Sequence, residues 1–122
     1  MFCKTKDGLN LYYEVQGNIS ASKTIVFLNG LSQSTIAWIL TTPHFKENYR
    51  IVLMDFIFQG QSDKSGESRS FDQHAKDVLG VLDELKIQKV ILAGLSYGSL
   101  VAQHFAVLFF ASKMTYLNHY LQ

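Results

Sequence analysis

Three short runs of consecutive apolar residues constrain the fold of this 122-residue chain more than any other feature. They are TIVFL at 24–28, IVLM at 51–54 and VILA at 90–93. Strands covered by helices on both faces of a parallel sheet have this continuous pattern, whereas strands that are half exposed alternate. We therefore predict three parallel strands at the centre of an α/β fold.

The segment before the first run has the alternating pattern instead. Leu9, Leu11, Tyr13 and Val15 fall on one side of residues 9–16, which indicates a half-buried strand. The preceding Asp7-Gly8 pair is typical of a hairpin turn. A hairpin followed by alternating strands and helices predicts a three-layer, doubly wound, mostly parallel sheet.

Helices are predicted between the apolar runs, over residues 36–48, with an interruption at Pro43, and over 71–85. For the second helix, Ser70 and Gln73 have the spacing of a capping box. Its apolar residues share one helical face and its charged residues point outward. The expected buried set is Ala75, Val78, Leu79, Leu82 and Leu85, and the expected exposed set is Asp77, Asp83 and Lys86.

The pentapeptide Gly94-Leu95-Ser96-Tyr97-Gly98 lies between the third apolar run and a helix-like stretch. This G-x-S-x-G pattern in a strand-to-helix turn predicts a nucleophile elbow, which exposes the hydroxyl of Ser96. Gly94 and Gly98 are expected to avoid collisions with the neighbouring strand and helix. The amide of Tyr97 would stand at the helix N-terminus, where it favours a developing negative charge.

Charge and composition exclude several classes of function. Eleven Lys and Arg against ten Asp and Glu, with no basic run, predict no nucleic-acid partner. The most apolar stretch, 105–111, is shorter than the roughly 18 residues of a membrane span. The start of the chain is too polar for a signal peptide, and a single cysteine, Cys3, forms no internal disulfide. We therefore expect a cytoplasmic protein.

From residue 8 to about 108, the chain resembles the N-terminal half of an α/β-hydrolase. Three motifs carry the resemblance: LNGL at 28–31 with Trp38 downstream, DFIFQGQS at 55–62, and the Ser96 turn. It implies an oxyanion hole formed by the amides of Leu31 and Tyr97, with Asn29 and Gly30 supporting the loop. The side chain of Asn29 is expected to hydrogen-bond the backbone of that loop.

The second motif departs from the usual D-x-R-G-x-G-x-S pattern at Phe58, which stands where the pattern has glycine. Together with Asn-Gly in place of His-Gly, this resembles a branch that includes the 3-hydroxyacyl-ACP acyltransferase of rhamnolipid synthesis. Asp55 is expected to accept backbone amides of its own turn, a structural role.

In this family the catalytic acid and histidine follow the nucleophile along the chain. After Leu108 the sequence predicts no further strand and no return to the sheet, so residues 1–122 are interpreted as a partial, truncated domain. Strand 90–93 would then be a free edge, and the isolated chain is expected to self-associate unless the aromatic tail folds back over that strand.

No residue present is a convincing catalytic base. His104 is predicted on a helix surface, His44 and His74 in polar, exposed helix starts, and His119 on a tail of unknown position. Cys3 is interpreted as a small apolar residue of an edge strand. No cluster has ligand spacing for a metal, and no cofactor is implied.

The resemblance implies a serine hydrolase that acts on carboxylic esters or related small-molecule acyl compounds, nearly inactive as this chain alone. An acyltransferase using hydroxyacyl thioesters is one alternative. A non-catalytic binding or structural module is the other.

Overall fold

The computed structural model describes residues 1–120, with side chains described for residues 1–110. It is an α/β structure whose elements follow the predicted order, with one additional strand at the end. In chain order they are β1 (Phe2–Lys4), β2 (Asn10–Gly17), β3 (Thr24–Leu28), two short 3₁₀ helices (Thr35–Trp38 and Thr42–His44), β4 (Arg50–Met54), α1 (Phe71–Glu84), β5 (Val90–Leu95), α2 (Tyr97–Lys113) and β6 (Met114–Tyr120).

The strands form one mixed sheet in the order β1-β2-β4-β3-β5-β6. β2 pairs antiparallel with β1 and β4, while β3, β4, β5 and β6 are parallel to one another. Leu28 lies opposite both Met54 and Gly94. The loops that follow β3, β4 and β5 therefore leave the sheet at the same edge, and the candidate site is built there.

Both faces of the three central strands are covered, as the continuous apolar runs predict. All five residues of β3 are buried, and their side chains alternate between two apolar clusters. The cluster under the helices includes Val26, Leu28, Val52, Met54 and Leu92, and the opposite cluster includes Ile25, Phe27, Ile51, Leu53 and Ala93. Cys3 of β1 belongs to the first cluster, so its interpretation as an apolar residue is confirmed.

The N-terminus of α1 has the predicted capping box. Ser70 Oγ accepts a hydrogen bond from the Gln73 amide at 3.1 Å, and Gln73 Oε1 accepts one from the Ser70 amide at 2.8 Å. The backbone amides of Ser70 and Gln73, which have no acceptor within the helix, are thus both hydrogen-bonded.

The prediction that Asp77 points outward is wrong. Its side chain is buried, and Arg69 donates to both of its carboxylate oxygens, from Nε at 2.7 Å and from Nη2 at 2.9 Å. Arg69 also binds Asp7 of the hairpin turn. Burial raises the pKa of Asp77, and the hydrogen bonds from Arg69 oppose that shift. A buried carboxylate is tolerated here because a guanidinium folds over it.

The predicted helix over 36–48 is also wrong, because only the two short 3₁₀ helices form. Pro43 lies in the first turn of the second one. Its ring carries no amide proton and disfavours helical geometry at the preceding residue, so a helix arriving from Ile36 cannot continue through it. The side chain of Trp38 is buried and anchors the segment to the sheet.

After α2 the chain returns to the sheet, which corrects the prediction of no further strand. β6 runs parallel to β5, with Met114 opposite Val90 and Tyr120 opposite Leu95. Residues of high β-propensity, such as Tyr116 opposite Ile91, follow the helix and satisfy backbone groups of β5, with a register shift between Val90 and Ile91. The predicted free edge at 90–93 is therefore absent from the described residues, and self-association through that edge loses its basis.

Within residues 1–120, none of the helices has both the length and the apolar character needed to cross a bilayer.

Candidate active site

Ser96 is the single residue between β5 and α2. Its φ of 51° lies in the left-handed region, which is costly for a residue with a side chain. Ser99 stabilises the turn because its hydroxyl donates a 2.6 Å hydrogen bond to the Ser96 carbonyl. The side chain of Ser96 is exposed. A sharp strand-to-helix turn that presents a serine to solvent therefore forms as the sequence predicts.

The two glycines of the pentapeptide are required by close backbone contacts. A Cβ at Gly94 would lie 2.6 Å from the carbonyl carbon of Gly98. A Cβ at Gly98 would overlap the Leu28 carbonyl oxygen and lie 2.6 Å from that of Asn29. Because these obstacles are main-chain atoms, a side chain cannot be accommodated by a rotamer change. The turn is thereby pressed against the end of β3.

Asn29 follows β3 and is completely buried. Its Nδ2 donates to the Met54 carbonyl at 2.9 Å and to Gln59 Oε1 at 3.1 Å, and its Oδ1 accepts from Trp38 Nε1 at 2.7 Å. The expectation that Asn29 bonds the backbone of its own loop is therefore wrong. Asn29 instead connects the ends of β3 and β4 and holds the indole of Trp38.

The loop after Asn29 is held by two glutamines that sequence reasoning missed. Gln59 is buried and donates from Nε2 to the Gly30 carbonyl at 2.9 Å, while its Oε1 also accepts from the Phe56 amide at 3.2 Å. Gln33 Oε1 accepts from the Gly30 amide at 2.8 Å. A loop glutamine shows no pattern that distinguishes a buried position from an exposed one, so the sequence contained no indication of this role.

Asp55 has the predicted structural role. One carboxylate oxygen accepts from the Gln61 amide of its own turn, and the other accepts from the Thr35 amide, both at 2.9 Å. A Cβ at Gly60 would overlap the same carboxylate. Phe58, which departs from the family motif, has a φ of 80°, a conformation in which glycine carries less strain.

The amides of Leu31 and Tyr97 donate no hydrogen bond to any group among residues 1–110. Both residues border one cavity of about 450 Å³. Its remaining lining comes from the loops after β3 and β4 and from α1, including Gln33, Phe56, Phe58, Arg69 and His74. The structure therefore brings together the two predicted oxyanion residues, beside the exposed Ser96.

The histidines differ from one another in placement. His104 is on the surface of α2 as predicted, with its ring 2.7 Å from Asp72 Oδ1, and His44 is exposed. The backbone of His119 pairs opposite Gly94, and its side chain lies outside the described residues. Among residues 1–110, no histidine or carboxylate is hydrogen-bonded to Ser96 Oγ.

The prediction that His74 is exposed is wrong, since only 4% of the residue is accessible. Its ring packs against those of Phe56 and Tyr97, with centroids 4.9 and 5.5 Å away. The reason is helical geometry, because His74 shares a face of α1 with Val78 and Val81. Burial, assisted by the positive charge of Arg69, lowers its pKa to about 4.

This pKa predicts a loss of stability in mild acid. The unfolded chain takes up a proton near pH 6.5 whereas the folded one does so near 4, so stability falls as the pH drops through this window. Between pH 7 and 4.5 the loss attributable to His74 is expected to be about 2 kcal/mol. Urea unfolding of wild type and His74→Gln at both pH values measures it, because the glutamine does not titrate. An equal pH dependence in the two proteins would contradict the prediction.

Comparisons with known proteins show the family of this chain. The model of the α/β hydrolase fold family matches residues 23–115, and the chain belongs to that family. It is 31% identical over 99 residues to the uncharacterized hydrolase YugF of Bacillus subtilis (strain 168), covering 80% of this chain and 36% of that one. It is 34% identical over 97 residues to 3-oxoadipate enol-lactonase 1 of Acinetobacter baylyi, with the same two coverages.

Among solved structures, the fold is similar to that of Est816, an N-acyl homoserine lactone degrading enzyme, with a TM-score of 0.88 and 28% identity. This match covers 98% of the present chain and 44% of the Est816 chain. The chain thus spans between about a third and a half of the length of these relatives.

Proposed function

We propose that this chain contributes the nucleophile and the oxyanion hole of a serine hydrolase that acts on carboxylic esters or related acyl compounds, lactones included. One observation carries the proposal. The serine in a left-handed strand-to-helix turn directly precedes the unpaired amide of Tyr97, and Tyr97 borders the same cavity as Leu31, whose amide is also unpaired.

In the proposed reaction, Ser96 Oγ attacks the carbonyl carbon of the substrate and transfers its proton to a general base. The carbonyl oxygen becomes an oxyanion and accepts hydrogen bonds from the amides of Leu31 and Tyr97. Collapse of this intermediate releases the alcohol, protonated by the same base, and leaves an acyl-serine. Water then attacks the acyl-serine, releases the carboxylic acid and restores the hydroxyl.

The nature of the relatives supports this reaction class, since an enol-lactonase and a lactone-degrading enzyme are among them. The first name describes hydrolysis of a lactone, and the second describes degradation of a lactone-containing compound.

The base is proposed to come from outside residues 1–110, because nothing among them is hydrogen-bonded to Ser96 Oγ. We propose that the 122-residue chain alone holds a positioned nucleophile without this proton acceptor. Removing the base from such a site lowers turnover by several orders of magnitude.

A fluorophosphonate probe tests this proposal. Labelling of the purified chain is expected at Ser96 alone, at least about a thousandfold slower than that of full-length YugF under the same conditions. Ser96→Ala should abolish it, and the exposed Ser20→Ala should leave it unchanged.

Labelling as fast as that of the full-length relative, and lost in Ser96→Ala, would reveal a base within this chain. No labelling at Ser96 after prolonged incubation, with the fold intact, would favour the non-catalytic module.

A further inference from the structure

His74 is a polar side chain in an aromatic wall of the cavity that Leu31 and Tyr97 border. Neither ring nitrogen has a hydrogen-bond partner among residues 1–110, and Nδ1 is fully buried. The rings of Phe56, Tyr97 and, one turn earlier, Phe71 surround this part of α1.

An unpartnered buried nitrogen costs free energy, roughly 1–3 kcal/mol, that an apolar side chain of similar size would not. Because its pKa is about 4, the imidazole is neutral near pH 7 and carries one N–H donor and one acceptor nitrogen. Nδ1 is closed off from the cavity, so Nε2 is the ring nitrogen that a group bound in the cavity can reach.

Two other polar side chains that border the cavity, those of Arg69 and Gln59, already have partners. The Arg69 guanidinium binds the carboxylates of Asp7 and Asp77. Gln59 is occupied by Asn29 and Gly30. His74 is therefore a polar group of this wall that remains available for a ligand.

The cavity also has the volume and position to hold an acyl chain. Its roughly 450 Å³ is within the range of small-molecule sites, about 300–1,000 Å³. A substrate whose carbonyl oxygen is held by the amides of Leu31 and Tyr97 lies at the border of this space, which is open to its attached chain. The ring of Tyr97 contacts that of His74. Tyr97 therefore links the proposed oxyanion position, through its amide, with the part of the cavity that His74 borders.

We propose that His74 is a specificity-determining residue whose ring hydrogen-bonds a hydroxyl or keto oxygen carried on the acyl chain of the substrate. The preferred substrates are then oxygen-substituted acyl compounds rather than plain alkyl esters. This inference rests on the proposed function, because the position of the acyl chain follows from the carbonyl at Leu31 and Tyr97.

Matched amides, which the chain is not expected to cleave, test the proposal. Hexanamide and its 3-, 4- and 5-hydroxy derivatives are titrated into the ¹⁵N-labelled 122-residue protein, with dissociation constants taken from NMR shifts. At least one hydroxy isomer is expected to bind about tenfold more tightly than hexanamide, which corresponds to about 1.4 kcal/mol. The same isomer should move the imidazole ¹⁵N resonances of His74.

Three variants assign the effect. His74→Leu should remove the preference for the hydroxy isomer while leaving hexanamide affinity unchanged, and His74→Gln should keep part of it. The exposed His104→Gln is the matched control and should behave as wild type. If His74→Leu does not fold, the imidazole shifts in wild type and the glutamine variant decide.

Equal affinities for all ligands, an unchanged ratio of affinities in His74→Leu, or His74 resonances that do not move would overturn the proposal.

The amide resonances of Leu31 and Tyr97 distinguish a failure of this proposal from a failure of the proposed function. If they shift without dependence on His74, only the subsite fails. If binding depends on His74 but neither moves these amides nor slows labelling of Ser96, the oxyanion assignment fails and the subsite stands.

Discussion

Replacing Gly98 with alanine is expected to destabilise the protein by about 3 kcal/mol or more. The added methyl group would overlap the Leu28 carbonyl and press on that of Asn29, and neither can move without distorting the end of β3. Gly98 has no positive φ, so the expected effect is steric. Urea unfolding followed by circular dichroism measures it.

Gly80 provides a matched control within α1. A Cβ there meets no atom within 4 Å, so Gly80→Ala adds the same methyl group in open space. The better helix propensity of alanine is expected to stabilise the protein by about 0.5–1 kcal/mol. Opposite signs for the two substitutions are the expected result. A Gly98→Ala protein within 1 kcal/mol of wild type would show that the contact relaxes easily.

Replacing Asn29 with alanine is expected to cost about 3–4 kcal/mol, since three buried hydrogen bonds are lost at once. Trp38 Nε1 and Gln59 Oε1 would be left without this partner inside the protein. The exposed Asn18, which bonds the Glu47 carbonyl at 3.2 Å, is the control. Asn18→Ala should change stability by no more than about 0.5 kcal/mol.

The amide resonance of Leu31 reports whether the loss of Asn29 also affects the candidate site. In Asn29→Ala, Gln59 loses a partner that orients it, and Gln59 in turn holds the Gly30 carbonyl. The amide resonance of Leu31 is therefore expected to shift in Asn29→Ala and to stay unchanged in Asn18→Ala. Equal stability losses for the two alanine variants would mean that Asn29 is an ordinary turn residue.

The central strands, the capping box and the Ser96 turn could be predicted because each depends on residues close together in the chain. The apolar runs determine which strands are covered on both faces, and Ser70 and Gln73 satisfy their helix end without outside help. The glycines of the pentapeptide were also predictable, since a strand-to-helix turn this tight leaves no room for a side chain.

The misses have a different physical origin. Asp77 is buried beneath Arg69, and Arg69 is held in turn by Asp7, which lies 62 positions before Arg69 in the chain. The periodicity of the helix predicts neither contact. Gln59 and Asn29 meet across 30 positions in the same manner. His74 shares the buried face of α1 with Val78 and Val81, and the rings that cover it, Phe56 and Tyr97, come from distant parts of the chain.

The main-chain contact of Gly98 with Leu28 has a consequence for how such a protein can diversify. The backbone contact that holds the Ser96 turn against β3 involves no side chain that lines the cavity. Lining residues of other loops, such as Phe58, can therefore be exchanged without breaking that contact, whereas His74 packs on Tyr97, next to the serine. Through those loops, substrate preference and the placement of the reacting group are free to change independently.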